Sequence, residues 1–299
     1  MENKKYWIWL SRLENVSTSS KNKLIEKYKT PINIFNLTKQ QLRRENIITE
    51  NEIKSVLNLK YKENLEQYQE YMELNKIDII SILEKEYPEK LRNIYDKPVV
   101  IFIKGNKKIL NEKSIAVVGS RQASHYGKLI SENMSYNLSI NNINVISGLA
   151  IGVDSYAHIG ALKKLNIKQP QLRGKAIAVI GNGIDRIYPE ENRELAEQIV
   201  KSGGVIISEY IVGRKPERKN FPERNRIISG LSDGVLVVEA KERSGALITA
   251  EFAMNQGKEV YAIPGNINNI NSIGTNQLLK DGANFVTNIN DILYNMQVS

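Results

Sequence analysis

The sequence predicts an α/β protein whose larger part is a parallel sheet wrapped by helices. Three observations lead there. From Ser114 onward, short β-branched runs alternate with helical stretches. Those runs are continuously apolar rather than alternating, as strands covered on both faces are. Several of them end in glycine or a small polar residue: Gly119-Ser120, Ser147-Gly148, Gly181-Asn182-Gly183 and Pro264-Gly265. In an open α/β sheet the carboxyl ends of the strands line the ligand crevice. A Rossmann-like sheet with helices on both faces is the architecture these features share.

The elements follow in chain order. Residues 1–74 read as a small all-helical domain, with apolar residues three and four apart (Leu24, Ile25, Tyr28; Ile53, Val56, Leu57). Thr30-Pro31 punctuates it, and Thr38 is placed to cap a helix over Lys39 to Glu45. Residues 75–110 read as a connector or extension to the sheet domain with short strands, since an apolar run from Val99 to Ile103 follows Pro98. Residues 111–299 form the sheet domain. Its expected strands are Ile115–Val118, Val145–Ile146, Ile177–Ile180, Val205–Ile207, Val235–Val238, Val260–Ile263 and a short Phe285–Val286. Amphipathic segments such as Glu191–Lys201 and Leu247–Gln256 lie between them.

Composition narrows the function. The chain has 299 residues, with 42 Lys and Arg against 33 Asp and Glu, a net charge of +9. That balance suits a polyanionic partner, although a lysine-rich solvated surface would give the same sum. There is no cysteine, which excludes disulfides, thiolate zinc sites and cysteine nucleophiles. Two histidines, His125 and His158, are too few for a histidine-based metal centre. No apolar run approaches the roughly 20 residues that span a bilayer, and the patch from Tyr6 to Leu10 is shorter than a signal-peptide core. A cytoplasmic protein without cofactor, metal or membrane contact is expected.

The candidate site residues cluster at the strand ends. Gly119 lets the backbone approach a ligand, the amides from Ser120 onward favour an anion, and Arg121 offers a fork of donors to phosphate oxygens. Taken alone, this also fits an ordinary βα turn carrying a surface arginine. Gly148 (with Gly152) and Gly181-Asn182-Gly183 repeat the pattern at the same sheet edge; each is weak alone, but together they favour a phosphate-lined groove over three unrelated tight turns. Asp154 reads as a first-turn acid and His158 as a packing or surface histidine.

The densest signal runs from Gly213 to Arg226, with six cations, two acids and one aromatic ring. It contains Lys219, Asn220, Phe221, Arg224, Asn225 and Arg226. Charge that tracks a backbone and a ring that stacks on a base suit a single strand, whereas no helix or ribbon for reading a duplex groove is evident. A solvated loop with Phe221 tucked into the core is the plainer alternative. Pro222, Ile227, Ile228 and Leu231 put Arg224 and Arg226 near a helix start. Last, Ser244 and Gly245 present backbone donors, with Thr249 as a helix hydroxyl that can equally bond back to its own helix. No catalytic residue is assigned.

Together these residues resemble the DNA-processing protein A (DprA/Smf) family. The match runs through Tyr87-Pro88-Glu89-Lys90-Leu91, Gly119-Ser120-Arg121, residues 147–154, Phe221-Pro222 with Arg224-Asn225-Arg226-Ile227-Ile228-Ser229, residues 243–250 and residues 274–283. It covers about two thirds of the chain in order. The resemblance implies a non-enzymatic single-stranded DNA-binding protein that protects incoming DNA and loads the RecA recombinase in natural transformation and recombination. It implies that Arg121 anchors a phosphate, that Lys219 and Asn220 contact the strand, and that Phe221 lies against a base. It also implies a homodimer formed around Leu278, Leu279 and Phe285, and a sterile-alpha-motif-like helical domain at the N-terminus.

The chain departs from that pattern in an apparent insertion from Asn166 to Gly174 and in Glu190 and Glu191 where a cation would help, and no C-terminal winged helix is expected. The main rival on the same fold is a nucleotide phosphoribohydrolase resembling the lysine-decarboxylase-like (LOG) enzymes. Thr249 and Glu251 match its signature, but the Pro-Gly-Gly does not occur. A dinucleotide-binding enzyme would need a third glycine where Arg186 stands, and no P-loop spacing is present. An interaction scaffold is the remaining possibility.

Overall fold

The computed structural model describes residues 4–163 and 174–298. Six helices open the chain: α1 (Lys4–Arg12), α2 (Thr18–Tyr28), α3 (Pro31–Phe35), α4 (Lys39–Glu45), α5 (Glu50–Leu57) and α6 (Leu65–Leu74). Their apolar faces meet in a core holding Trp9, Leu10, Leu13, Leu24, Ile34, Leu42 and Ile53. Phe35 packs edge-on against Trp9, with ring centroids 5.1 Å apart. Thr38 caps α4 and Thr49 caps α5, each in a reciprocal capping box, with Gln41 and Glu52.

The sheet has nine strands: β1 (Asp78–Ser81), β2 (Val100–Gly105), β3 (Ser114–Val118), β4 (Asn144–Ser147), β5 (Ala176–Ile180), β6 (Val205–Ser208), β7 (Gly234–Val237), β8 (Glu259–Ala262) and β9 (Asn284–Phe285). Their spatial order is β1-β2-β6-β5-β4-β3-β7-β8-β9. All pairs from β6 to β9 are parallel, while β1–β2 and β2–β6 are antiparallel. The sheet is therefore mostly parallel, with an antiparallel edge supplied by residues that read as a connector. Short α7 (Glu89–Arg92) lies between those two strands in sequence.

The remaining helices are α8 (His125–Ile140), α9 (Val153–Leu162), α10 (Arg193–Lys201), α11 (Asn220–Leu231), α12 (Gly245–Asn255), α13 (Ile273–Lys280) and α14 (Asn290–Val298). Helices α9 and α11 both pack on β3, β4 and β5, α9 grouped with α8 and α10 and α11 with α12, so that helices cover both faces of the sheet. Every residue of β3 and of β5 is buried, as their apolar runs predict. The chain winds outward from β3 to β6 and then returns to place β7 on the other side of β3. The strand order therefore reverses between β3 and β7, and a crevice opens there at the carboxyl ends.

Residues 166–173, most of the expected insertion, lie outside the described residues. Gly174 at its end donates its N–H to the Ser139 carbonyl at 2.9 Å. Among the described residues no helix is long and apolar enough to cross a membrane.

Candidate nucleic-acid interface

The rim of the crevice begins after β3. Gly119 sits so close to its neighbours that an added Cβ would lie 2.6 Å from Val153 Cγ2 and 2.9 Å from the Glu239 carbonyl oxygen. Ser120 donates its N–H to that same carbonyl at 2.8 Å, tying the turn to the end of β7. The Glu239 carboxylate, buried, accepts from the Ser124 N–H at 2.9 Å and from Ser124 Oγ at 2.5 Å. Ser124 in turn caps α8 by accepting from the Gly127 N–H. The loop from Gly119 to Ser124 is thus fixed at both ends, and Arg121 projects from it into solvent.

Arg121 makes no hydrogen bond or ion pair with another described residue. Its guanidinium carbon lies 5.4 Å from the centre of the Phe221 ring, within cation–π range. Phe221 is half-buried at the start of α11, and its other neighbour is Tyr188, with centroids 5.7 Å apart and planes inclined at 32°. Tyr188 is 46% exposed and precedes Pro189 through a cis peptide bond. Gly181 is what lets the Phe221 ring come close, since a Cβ there would sit 3.0 Å from Phe221 Cδ1. Arg121, Phe221 and Tyr188 form a cation beside two neighbouring rings. Tyr188 is the member that sequence reasoning overlooked, because nothing in its local pattern ties it to α11.

Lys219, two residues before Phe221, is exposed and has only a loose contact with Glu217 at 3.4 Å. Asn220 behind it is buried and donates to the Gly181 carbonyl at 3.1 Å. Asn182 is buried too, bonding the carbonyls of Gly183 and Arg186. Gly183 donates its N–H to the Arg214 carbonyl at 2.9 Å. Asn220, Asn182 and Gly183 therefore hold the turn rather than face a ligand.

Arg224 and Arg226 differ from expectation. Both are buried. Arg224 donates to the carbonyl oxygens of Gly148 (2.7 Å) and Val179. It lies beside Asp154, whose carboxylate accepts from the Gly148 and Ala150 amides at 3.2 and 3.4 Å. Burial pulls the Arg224 guanidinium down to about 10, and Asp154 partly offsets this. Burial likewise raises the Asp154 carboxyl, against the pull of Arg224. Gly148 is wedged between these two side chains.

Arg226 turns toward the helical domain and grips Glu209 with bonds of 2.8 and 2.6 Å. Burial works to lower its pKa, but Glu209 carries it up. Asn225 accepts from Arg224 Nε at 3.2 Å and donates to the Gly245 carbonyl at 3.1 Å, joining the start of α12 to the network. Ser244 caps α12 beside an exposed Gly245, while Thr249 is buried and bonds back to the Gly245 carbonyl at 3.4 Å. These side chains face inward, and Arg224 among them ties the Gly148 turn to the end of β5.

His158 is fully buried with no partner for either ring nitrogen among the described residues. Burial drives its pKa down to about 3, with Arg224 nearby adding to the effect. Among the described residues no three of His, Asp and Glu converge on a point that would hold a metal ion. Of the expected pairing residues, Leu278 is buried in its own core, Leu279 is half-buried, and Phe285 is 58% exposed on the edge strand β9.

Comparison with known proteins places this geometry. Residues 78–297 match the family model of the DNA recombination-mediator protein A. The chain is 45% identical over 221 residues to the DNA processing protein DprA of Streptococcus pneumoniae, covering 74% of this chain and 75% of that one. It is 44% identical over 211 residues to protein Smf of Escherichia coli, where the match spans 71% of this chain and only 54% of the relative. The crystal structure of the S. pneumoniae protein superposes with a TM-score of 0.80 at 36% identity, covering 97% of both chains. The structure of DNA processing protein A from Helicobacter pylori, described for its single-stranded DNA binding mode, superposes with a TM-score of 0.64 at 28% identity, over 74% of this chain and 96% of that one. On this footing the chain belongs to the DNA recombination-mediator protein A family.

Proposed function

We propose that the protein binds single-stranded DNA along the carboxyl rim of its sheet, without strong sequence preference and without catalysing a reaction on it. The observation that carries this reading is the uncommitted Arg121 guanidinium beside the Phe221–Tyr188 pair. A cation for the backbone next to exposed ring surface for a base is what an unpaired strand requires. Exposed Lys219 lies close by, two residues before Phe221, and Ser244 with the exposed Gly245 extends the rim at the start of α12. In this reading the protein works in the cytoplasm, protects incoming strands and hands them to the RecA recombinase in natural transformation and recombination. It acts as a homodimer paired at β9 through Phe285.

Titration of labelled oligo-dT at several salt concentrations tests the binding claim. Engagement of about four to six phosphates gives a slope of log K against log salt of roughly −3 to −4. Arg121→Ala weakens binding several-fold for all sequences and makes the slope shallower by about 0.7. Phe221→Ala costs about 1–3 kcal/mol and leaves the slope unchanged. Wild-type affinity in Arg121→Ala overturns the reading. Release of free base from a nucleoside monophosphate by the purified protein would establish a phosphoribohydrolase instead.

A further inference from the structure

A cleft of about 750 Å³ separates the helical domain from the sheet and is lined on one side by Lys21, Lys60, Tyr61 and Tyr68 and on the other by Lys215 and Lys219. Lys219 and Asn220, which flank the Phe221 ring, line it as well, so the cleft opens directly off the rim already described. We propose that this cleft is a second phosphate-binding stretch, and that it takes the nucleotide phosphates of a single strand leaving the rim. The proposal rests on the single-strand reading above and adds the helical domain to the binding surface.

The charges of the cleft support this polarity. Several of its acids are already engaged. Glu14 and Glu217 pair with Arg214 at 2.5 and 3.0 Å, Glu209 is held by Arg226 at 2.6 Å, and Glu223 accepts from the Tyr210 hydroxyl at 3.1 Å. The lysines are less committed. The Lys21 ammonium, on α2, makes no hydrogen bond or ion pair with another described residue, although the side chain is half-buried. Lys215 is exposed and equally unpaired, and Lys60 lies 5.8 Å from the Tyr61 ring centre. Burial draws the Lys21 ammonium down to about 8, partly opposed by Glu209. An ammonium held out of bulk water without a counter-ion is costly, and a phosphate supplies the missing charge. The half-buried Tyr68 ring also lines the cleft, with the Arg12 guanidinium 4.6 Å from its centre adding a further cation to that wall.

The test compares oligo-dT of two lengths, 5 and 20 nucleotides, and thymidine monophosphate, on the full chain and on Lys21→Gln, Lys215→Gln and Arg121→Ala. The expected result is that both lysine variants bind the longer strand several-fold more weakly, each with a salt slope shallower by about 0.7. They bind the shorter strand as wild type does, while Arg121→Ala weakens both lengths. Lys215→Gln changes an exposed side chain, so the comparison survives if Lys21→Gln fails to fold. Unchanged binding of the longer strand in Lys215→Gln and in a folded Lys21→Gln overturns the proposal while leaving the rim intact. Lysine-dependent binding of the monophosphate, with both oligonucleotides unaffected, also overturns it, because the cleft then serves a free nucleotide. Indifference of both lengths to Arg121→Ala removes the single-strand reading itself.

Discussion

Arg121 and Arg224 show how placement decides what a cation does. One is exposed over a ring, and the other is buried among backbone carbonyls. The sequence counts both in the same basic tally, yet only the first is free to meet a phosphate. The difference was readable in principle. Asn220, Arg224, Ile227, Ile228 and Leu231 recur at spacings of three and four, so the helical phase puts Arg224 on the apolar stripe. Tyr188 had no such signal, since its partner lies 33 residues away in sequence and they meet only through the fold. His158 gives a prediction at this scale. Its pKa of about 3, against 6.5 in the unfolded chain, means the unfolded state binds the proton first as the pH falls. The associated stability is complete above about pH 6.5 and is lost progressively below it. Chemical denaturation at pH 7 and pH 5 should show wild type losing about 2 kcal/mol more than His158→Leu. Equal losses in the two proteins would mean that the imidazole is accessible to solvent.

Local signals located the elements to within about two residues wherever the pattern was strong. Val205–Ile207 became β6 over Val205–Ser208, and Thr38 caps the helix it was expected to cap. Strand β1 was missed because four residues, beginning with an exposed Asp78, follow a helix too closely to show a period of their own. Its direction was equally hidden, because antiparallel pairing with β2 is settled by the loop between them. At the switch between β3 and β7, Glu239 joins two elements by capping the segment that leads into α8. Gly127 makes room for it, as a Cβ there would lie 2.3 Å from Glu239 Oε2. Replacing Glu239 with alanine removes two hydrogen bonds to a buried carboxylate. It should lower unfolding stability by about 1.5–3 kcal/mol and loosen the loop that aims Arg121. A urea midpoint equal to that of wild type would show that another group caps the loop.

The N-terminal helices and the sheet share one continuous core of buried apolar side chains, with the candidate rim and the cleft on adjoining surfaces. The glycine turns made the rim legible in the sequence. The cleft was not, because its helical wall carries no motif and lies about 150 residues from the basic run that forms the other wall. Proposed self-association also belongs to this scale. Phe285→Arg places a charge on the exposed end of the sheet, and light scattering should report monomers where wild type gives dimers. A wild-type mass for that variant would move the contact elsewhere. The two margins of the sheet are unequal. Three of the four residues of β1 are buried, whereas β9 offers two residues with an exposed ring. In the proposed dimer, pairing at β9 occupies the margin that carries the exposed ring, so a two-fold contact there is used up by a single partner and does not extend into a fibre.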